Sequence, residues 1–359
     1  MIVPPTSPTA AVGPRSGRRL LITGGSGYFG TVLAALASAR GHSVRILDLN
    51  PPGETAAGDV EFIQGDVRDR DVVRAACEEM EVVLHNVAQV PLARDRDLFW
   101  SVNLVGTANV LVASRDAKVS KVIHTSSSAI YGIPGHNPVD EDTLGQPLEA
   151  YGQAKLQAEL LCRDAVSSGL DVTIVRPRTI LGHGRLGIMA ILFEFVAEGA
   201  PVYLLGHGDN RYQFLHADDL ADACLRAADR DGPGAYNVGA TDFGTMRETL
   251  QALVDHADTG SSVRSLPAGP ARAAMRALAG MKALPFAPYH WLLYSESLWF
   301  DTTRARTELG WQPQHSNASM LIESYEWFLE HRAAIATTRG SHHQSPVKMG
   351  LLKALKRLP

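Results

Sequence analysis

The stretch Thr23-Gly24-Gly25-Ser26-Gly27-Tyr28-Phe29-Gly30 decides the reading of this chain. It follows a basic and then apolar run, Arg18-Arg19-Leu20-Leu21-Ile22, and it opens an apolar-rich stretch, Thr31-Val32-Leu33-Ala34-Ala35-Leu36-Ala37. The first run predicts a strand and the second a helix. A glycine turn between the two is the context in which such a pattern binds a dinucleotide. The glycines serve different ends. Gly24 allows the tight turn, Gly27 lets the backbone approach a pyrophosphate, and Gly30 lets helix and strand pack closely. The helix start then offers free N–H groups and a positive dipole end to the phosphates. A glycine-rich loop also occurs in α/β proteins that bind no nucleotide, so the rest of the chain has to carry the argument.

Downstream, Ser43-Val44-Arg45-Ile46-Leu47-Asp48 reads as a second strand ending in an acid. Asp48 stands about 20 residues beyond the glycines, where a carboxylate can hydrogen-bond the ribose hydroxyls of an adenosine. Leu49 and Asn50 supply no basic group for a 2′-phosphate, which favours NAD over NADP. Residues 60–64, 81–85 and 121–125 read as further strands, and 98–114 as a helix. Strands alternating with helices predict a parallel sheet covered on both faces. The expected class is α/β, a doubly wound Rossmann sheet with a smaller, interrupted C-terminal substrate domain. The expected boundaries are a disordered leader over 1–17 and an NAD-binding domain over 18–180, to which 213–240 returns. A substrate-binding domain would take 181–212 and 241–331, leaving a basic tail over 332–359. The glycine turn, Asp48, Asp66, Val87-Ala88 and Ser126-Ser127-Ser128 all fall at strand carboxyl ends, where such sheets bind ligands.

Composition narrows the function classes. The chain has 359 residues, 45% apolar and 20% charged, which suits a globular protein with a sizeable core. A net charge of -4 argues against a general nucleic-acid binder. Cys77, Cys162 and Cys224 are far apart and form no metal spacing, so a reducing, cytoplasmic setting is expected and no metal site. No run of 18 apolar residues predicts a membrane-spanning helix. The last 28 residues carry six Lys/Arg and no Asp/Glu. Val347 to Leu358, as a helix, would set Leu351, Leu352, Leu355 and Leu358 against Lys353, Lys356 and Arg357, a pattern that suits peripheral contact with an anionic membrane or a solvated tail.

The chemistry enters at Tyr151-Gly152-Gln153-Ala154-Lys155. A helix from Tyr151 sets Tyr151 and Lys155 on one face. A phenol with a reference pKa of about 10 is a poor base at neutral pH. A neighbouring ammonium and an oxidised nicotinamide favour the phenolate. A strand-end serine hydroxyl would hold the substrate oxygen while the tyrosine takes its proton.

From about Arg18 to Trp327 the chain resembles the extended short-chain dehydrogenases/reductases, the NAD-dependent epimerase/dehydratase family. The matching pieces are TGGSGYFG at 23–30, Asp48, GDVRD at 65–69, HNVA at 85–88 and NLVGTANVL at 103–111. Further matches are TSSSAIYG at 125–132, YGQAK at 151–155, RP at 176–177 and FDTTRARTELGW at 300–311. The resemblance implies that Gly24, Gly27, Gly30 and the Tyr28-Phe29 backbone hold the pyrophosphate. It gives the adenosine ribose to Asp48 and the adenine to Asp66 and Val67. Val87 and Ala88 would line the cleft, and Asn103 would support the site. Tyr151 would be the general base/acid, Lys155 would bind the nicotinamide ribose and lower the tyrosine pKa, and Ser127 would be the catalytic hydroxyl, four residues before Tyr131. A homodimer is a further expectation of the resemblance.

Family dehydratases follow the catalytic Thr with Asp-Glu; Ser128 and Ala129 stand there and cannot do that acid–base work. Oxidation/reduction, or epimerisation through a transient ketone, remains. Counting back from Asp218-Asp219, the diphosphate-binding Arg of nucleotide-sugar enzymes falls on Tyr212, with Arg211 one residue early. Arg211 and Tyr212 are therefore the candidate substrate residues. Residues 263–299, rich in Pro and apolar side chains, read as a lid that would cover a sugar nucleotide or a hydrophobic alcohol. The leading expectation is an NAD-dependent epimerase of a small-molecule substrate, a nucleotide sugar. The alternative is an NAD-dependent dehydrogenase/reductase of an apolar secondary alcohol, similar to the 3-beta-hydroxysteroid dehydrogenases.

Overall fold

The computed structural model describes residues 15–53, 60–89, 96–185, 189–267, 269–270 and 296–337. The leader up to residue 14, most of the proline-rich lid and the basic tail from 338 lie outside these residues. Seven strands form one parallel sheet: β1 (Arg19–Thr23), β2 (Ser43–Asp48), β3 (Glu61–Gln64), β4 (Val82–His85), β5 (Lys121–Thr125), β6 (Val172–Pro177) and β10 (Gly234–Val238). Their order is β10-β6-β5-β4-β1-β2-β3. The strand order reverses beside β1, where the chain turns out through its glycines, and ligands of open α/β sheets bind at such a switch point. Every position of β4, β5 and β6 is buried, as expected of strands covered on both faces.

The alternation of β1 divides the core. Leu20 and Ile22 pack on one face with Leu33, Ala34 and Ala37 of helix α1 (Tyr28–Ala39) and Leu220 and Cys224 of α7 (Ala217–Asp229). Leu21 faces the other way, into a core with Val73, Val110 and Cys162 from α2 (Arg70–Cys77), α4 (Gly106–Asp116) and α5 (Ala150–Ser167). Burying each such Leu or Ile stabilises the fold by about 1.5–3 kcal/mol. The three cysteines are free and buried.

A second core, containing Phe193, Leu204, Leu253, Met320 and Phe328, is built by α6 (Met189–Ala197), α8 (Met246–Ala257), α10 (Asn317–Thr337) and two short parallel pairs. The pairs are β7 (Thr179–Leu181) with β9 (Phe214–His216), and β8 (Val202–Leu205) with β11 (Val263–Leu266). The closing motif carries α9 (Thr303–Glu308) and then Trp311, which is fully buried and donates its indole N–H to the Asp219 carbonyl at 2.8 Å.

Two local expectations change. The helix foreseen over 98–114 runs from α3 (Arg96–Trp100) through a π-helical turn, Ser101–Val105, into α4. Single π turns of this kind redirect a side chain, here Asn103. Residues 15–17, which the sequence reading gave to the leader, are among the described residues: Arg15 donates its backbone N–H to Asp229 and pairs with Asp231. No helix among the described residues is long and apolar enough to cross a membrane.

Candidate active site

The glycine turn is shaped by close approach. Gly24 has φ +72°, and a Cβ there would sit 3.0 Å from the Val87 Cα. A Cβ on Gly30 would lie 2.0 Å from the Gly24 carbonyl oxygen, and one on Gly25 would lie 2.6 Å from Ile46. Gly25, to which the sequence pattern gave no role, is thus the glycine that lets the turn sit on β2. Gly27 differs: a Cβ there would meet one atom within 4 Å, the Gly24 carbonyl oxygen at 3.3 Å. Gly27 also caps α1 with no side-chain hydrogen bond and no acid in the first turn. The N–H groups of this helix start are therefore open to an anion. At the end of β2 the Asp48 carboxylate accepts the Ser26 and Asn50 N–H groups, both at 3.1 Å. That fixes it beside the turn with acceptor capacity to spare for ribose hydroxyls. A tight glycine turn, a helix start with no side-chain cap and a held acid fit NAD.

Opposite the turn, Glu149 caps α5, its carboxylate accepting the Tyr151 and Gly152 N–H groups at 2.8 Å each. This sets Tyr151, 9% exposed, at the first turn of the helix. Burial pushes the Tyr151 phenol up from its ordinary range, while a hydrogen bond with Ser127 and the positive charge of Arg185 pull it down. The Ser127 Oγ accepts the Ala129 N–H at 3.1 Å, which orients the hydroxyl. Lys155 is fully buried one turn along and donates from Nζ to the Thr125 carbonyl at 2.8 Å. Burial lowers it to about 8. Arg185 is a further cation whose charge bears on the phenol. Arg185 lies over the Tyr28 ring at 5.3 Å, its own pKa lowered by burial. The sequence reading missed it because it follows β7 in a loop with no motif spacing.

Neighbouring polar groups are taken up in structure. Ser126 donates to Glu159 at 2.6 Å, and Glu159 receives Arg176 in a two-pronged pair at 2.9 and 2.7 Å. Arg176 also reaches the Tyr131 hydroxyl at 2.7 Å, and Tyr131 donates to Asn237 at 2.9 Å. Ser126 is thereby occupied, leaving Ser127 as the hydroxyl at Tyr151. His85 is held between Thr23 at 2.8 Å and Thr107 at 3.0 Å and is lowered by burial to about 3, so it is a neutral core residue.

The remaining candidates have definite places. Asn103 grips the Gln89 backbone through both amide atoms, at 2.7 and 3.1 Å, and so holds the Val87-Ala88 loop from behind. Asp66 is paired with Arg68, and Val67 is buried against Gly106 with its carbonyl bonded to Asn109 at 3.0 Å. Arg211 is exposed, with its guanidinium over the Phe243 and Trp299 rings at 4.8 and 5.0 Å. Tyr212 is buried and bonds the Thr179 hydroxyl at 2.9 Å. The one-residue offset thus separates a surface residue from a buried one. His216, His315 and Glu323 gather ligand-type atoms within 4.8 Å. The His216 Nδ1 accepts the Asp218 N–H at 3.2 Å, which assigns the proton to Nε2, and Nε2 is buried without a hydrogen-bond partner.

Over 336 residues the chain is 47% identical to an uncharacterised protein of Sinorhizobium fredii, covering 93% of this chain and 85% of that one. It is 30% identical to a UDP-glucose 4-epimerase of Mycolicibacterium smegmatis, over 86% of this chain and 98% of that one. It is 29% identical to a 3 beta-hydroxysteroid dehydrogenase/Delta 5-->4-isomerase of Mycobacterium tuberculosis, over 87% and 90%. The crystal structure of the UDP-glucose 4-epimerase of Thermotoga maritima with UDP-glucose has the same fold, with a TM-score of 0.73 at 22% identity over 88% of this chain and 99% of that one. The model of the NAD dependent epimerase/dehydratase family matches residues 20–239, more than half the chain. The chain therefore belongs to the NAD-dependent epimerase/dehydratase family, and its cofactor is NAD.

Proposed function

We propose that this protein is an epimerase of a nucleotide sugar, working through a transient ketone. The observation that supports the reading is the pairing of Ser127 with Tyr151, where the only acid among the described residues acting on the phenol is the helix cap Glu149. The Glu149 carboxylate is held at the helix start by the Tyr151 and Gly152 N–H groups. Water elimination asks for a further acid and base at the substrate, and Ser128 and Ala129 offer neither. NAD, when bound, accepts and returns the hydride that the chemistry requires. Ser127 holds the reacting hydroxyl and Tyr151 takes its proton. Arg185 and Lys155 bring positive charge to the phenolate side of that transfer. When the ketone has turned over in the pocket, Tyr151 returns the proton and the inverted alcohol leaves.

Freshly purified protein should release about one NAD per chain on heat denaturation. It should then invert a UDP-hexose with no cofactor added, as followed by NMR of the sugar protons. A second reading, oxidation of an apolar secondary alcohol, is favoured by one observation. Tyr212, buried and neutral, stands where the resemblance places a diphosphate-binding Arg. Protein that releases no NAD, and that accumulates NADH from such an alcohol, would replace the first reading by the second.

A further inference from the structure

Arg178 is 1% exposed, and its Nε, Nη1 and Nη2 have no hydrogen-bond partner. Its guanidinium lies between two aromatic walls, the Tyr212 ring at 4.7 Å and the Phe300 ring at 5.5 Å. Both walls are fixed. Tyr212 bonds Thr179 through its hydroxyl and Asn317 through its carbonyl. Phe300 meets the Tyr131 ring edge-on at 5.5 Å and donates its N–H to Gln213 at 2.9 Å. Ring faces attract a cation but cannot satisfy five N–H donors, and a guanidinium does not escape burial by losing its proton. A fold keeps such a group where an anion completes it.

The place of Arg178 says which anion. It directly follows the last residue of β6, at the carboxyl end of the sheet. β6 neighbours β5, after which Ser127 stands, and Tyr131 ends the turn that Ser127 opens. The glycine turn leaves β1, three positions away from β6, about 14 Å at the usual strand spacing. Arg178 is therefore on the side of Ser127 and away from the NAD pyrophosphate cradle. Its flat fork matches the paired oxygens of a phosphate.

We propose that Arg178 is the anion-binding residue of the substrate pocket and takes the diphosphate of the nucleotide sugar. The inference rests on the nucleotide-sugar reading above. The test is calorimetric titration of UDP, and separately of inorganic pyrophosphate, into the NAD-saturated full chain and its Arg178→Met and Arg178→Lys variants. UDP should bind the parent chain, at least tenfold more weakly the Met variant, and at intermediate strength the Lys variant, with NAD affinity unchanged. If the Met variant binds UDP as the parent does, the proposal is overturned while the nucleotide-sugar reading stands. If the Met variant does not fold, parent-like UDP binding by the Lys variant overturns the proposal, and weakened binding supports it. If the parent binds pyrophosphate but not UDP, and the Met variant loses it, the anion site stands and the nucleotide-sugar reading falls. A parent chain that binds neither overturns both.

Discussion

Arg176 and Arg178 are two residues apart, each 1% exposed, and they share no feature of hydrogen bonding. Arg176 meets Glu159 with two prongs and also reaches the Tyr131 hydroxyl and the Glu141 carbonyl. Glu159 in turn receives Ser126. Arg178 has ring faces and no acceptor. Burial alone therefore does not mark an arginine as structural or functional; what separates the two is whether the chain supplies the counter-charge. Where it does, removing one partner strands the other. Where it does not, removal relieves the fold and should be felt in binding.

The largest effect sharpens that contrast. Arg176→Met takes the two-pronged counter-ion from buried Glu159, leaving only Arg163 at 3.7 Å, and should cost about 3–5 kcal/mol, because a poorly paired internal charge is far worse than a missing pair. Urea denaturation of the NAD-free protein measures it. A loss below about 1 kcal/mol would mean that the Arg176 network is no more structural than Arg178. The same scale predicts an unfolding midpoint for Arg178→Met equal to or above the parent's.

Next in size is Tyr151→Phe. In the proposed mechanism the phenol is the proton acceptor and its partner Ser127 is a neutral hydroxyl, so turnover should fall by about 10²–10⁴-fold. Bound NAD and the unfolding midpoint should stay near those of the parent. A variant that turns over normally ends the assignment of Tyr151 as base.

The adjacent serines divide the same way at smaller scale. Ser126 donates to buried Glu159, and a hydrogen bond to a charged group is worth roughly 1.5–3 kcal/mol. Ser126→Ala should therefore lose stability first, and Ser127→Ala should lose turnover with little change in stability. Paired denaturation and rate measurements decide it, and an exchange of the two outcomes would move the catalytic hydroxyl to Ser126.

The sequence carried the sheet and the glycine turn well, because these depend on local pattern. β1 alternates in facing, β4 is apolar but for its last residue, β5 carries a Val-Ile pair, and each glycine of the turn meets atoms a few residues away or on or beside a neighbouring strand. It placed Asp48 at a strand end and Tyr151 at a helix start for the same reason, as the structure has them. It could not show that Lys155 points to the Thr125 carbonyl, that Arg185 comes over Tyr28 from beyond β7, or that Glu149 is spent as a cap. Those relations join residues with no fixed spacing. The π turn at Asn103 was equally hidden, since the helical period runs through it. Arg211 against Tyr212 is the instructive case: the offset was visible in the letters, but which of the two lies inside is decided by packing on Thr179 and Arg178.

Lys155 stands between the two arginines in kind, and it yields the smallest but most direct test. It is fully buried and has one acceptor, the Thr125 carbonyl, for three donors. An ammonium can shed its proton, and burial lowers the Lys155 pKa from 10.5 to about 8. Cys162 and Glu159 act in the opposite direction and are outweighed. Between about pH 8 and 10.5 the unfolded chain then binds a proton that the folded chain does not. Stability contributed by this group must rise with pH across that window, by up to about 1.4 kcal/mol per pH unit. Below pH 8 both states are charged and the burial penalty is felt in full; above 10.5 neither is charged and it vanishes. Lys155→Met removes the dependence and leaves the other titrating groups, so the difference between parent and variant isolates the lysine. Urea midpoints at about pH 7.5 and about pH 9.5 for the NAD-free proteins should show the parent gaining on the variant. Parallel pH dependences would mean that Lys155 keeps an ordinary proton, and that its ammonium is satisfied in the manner of Arg176.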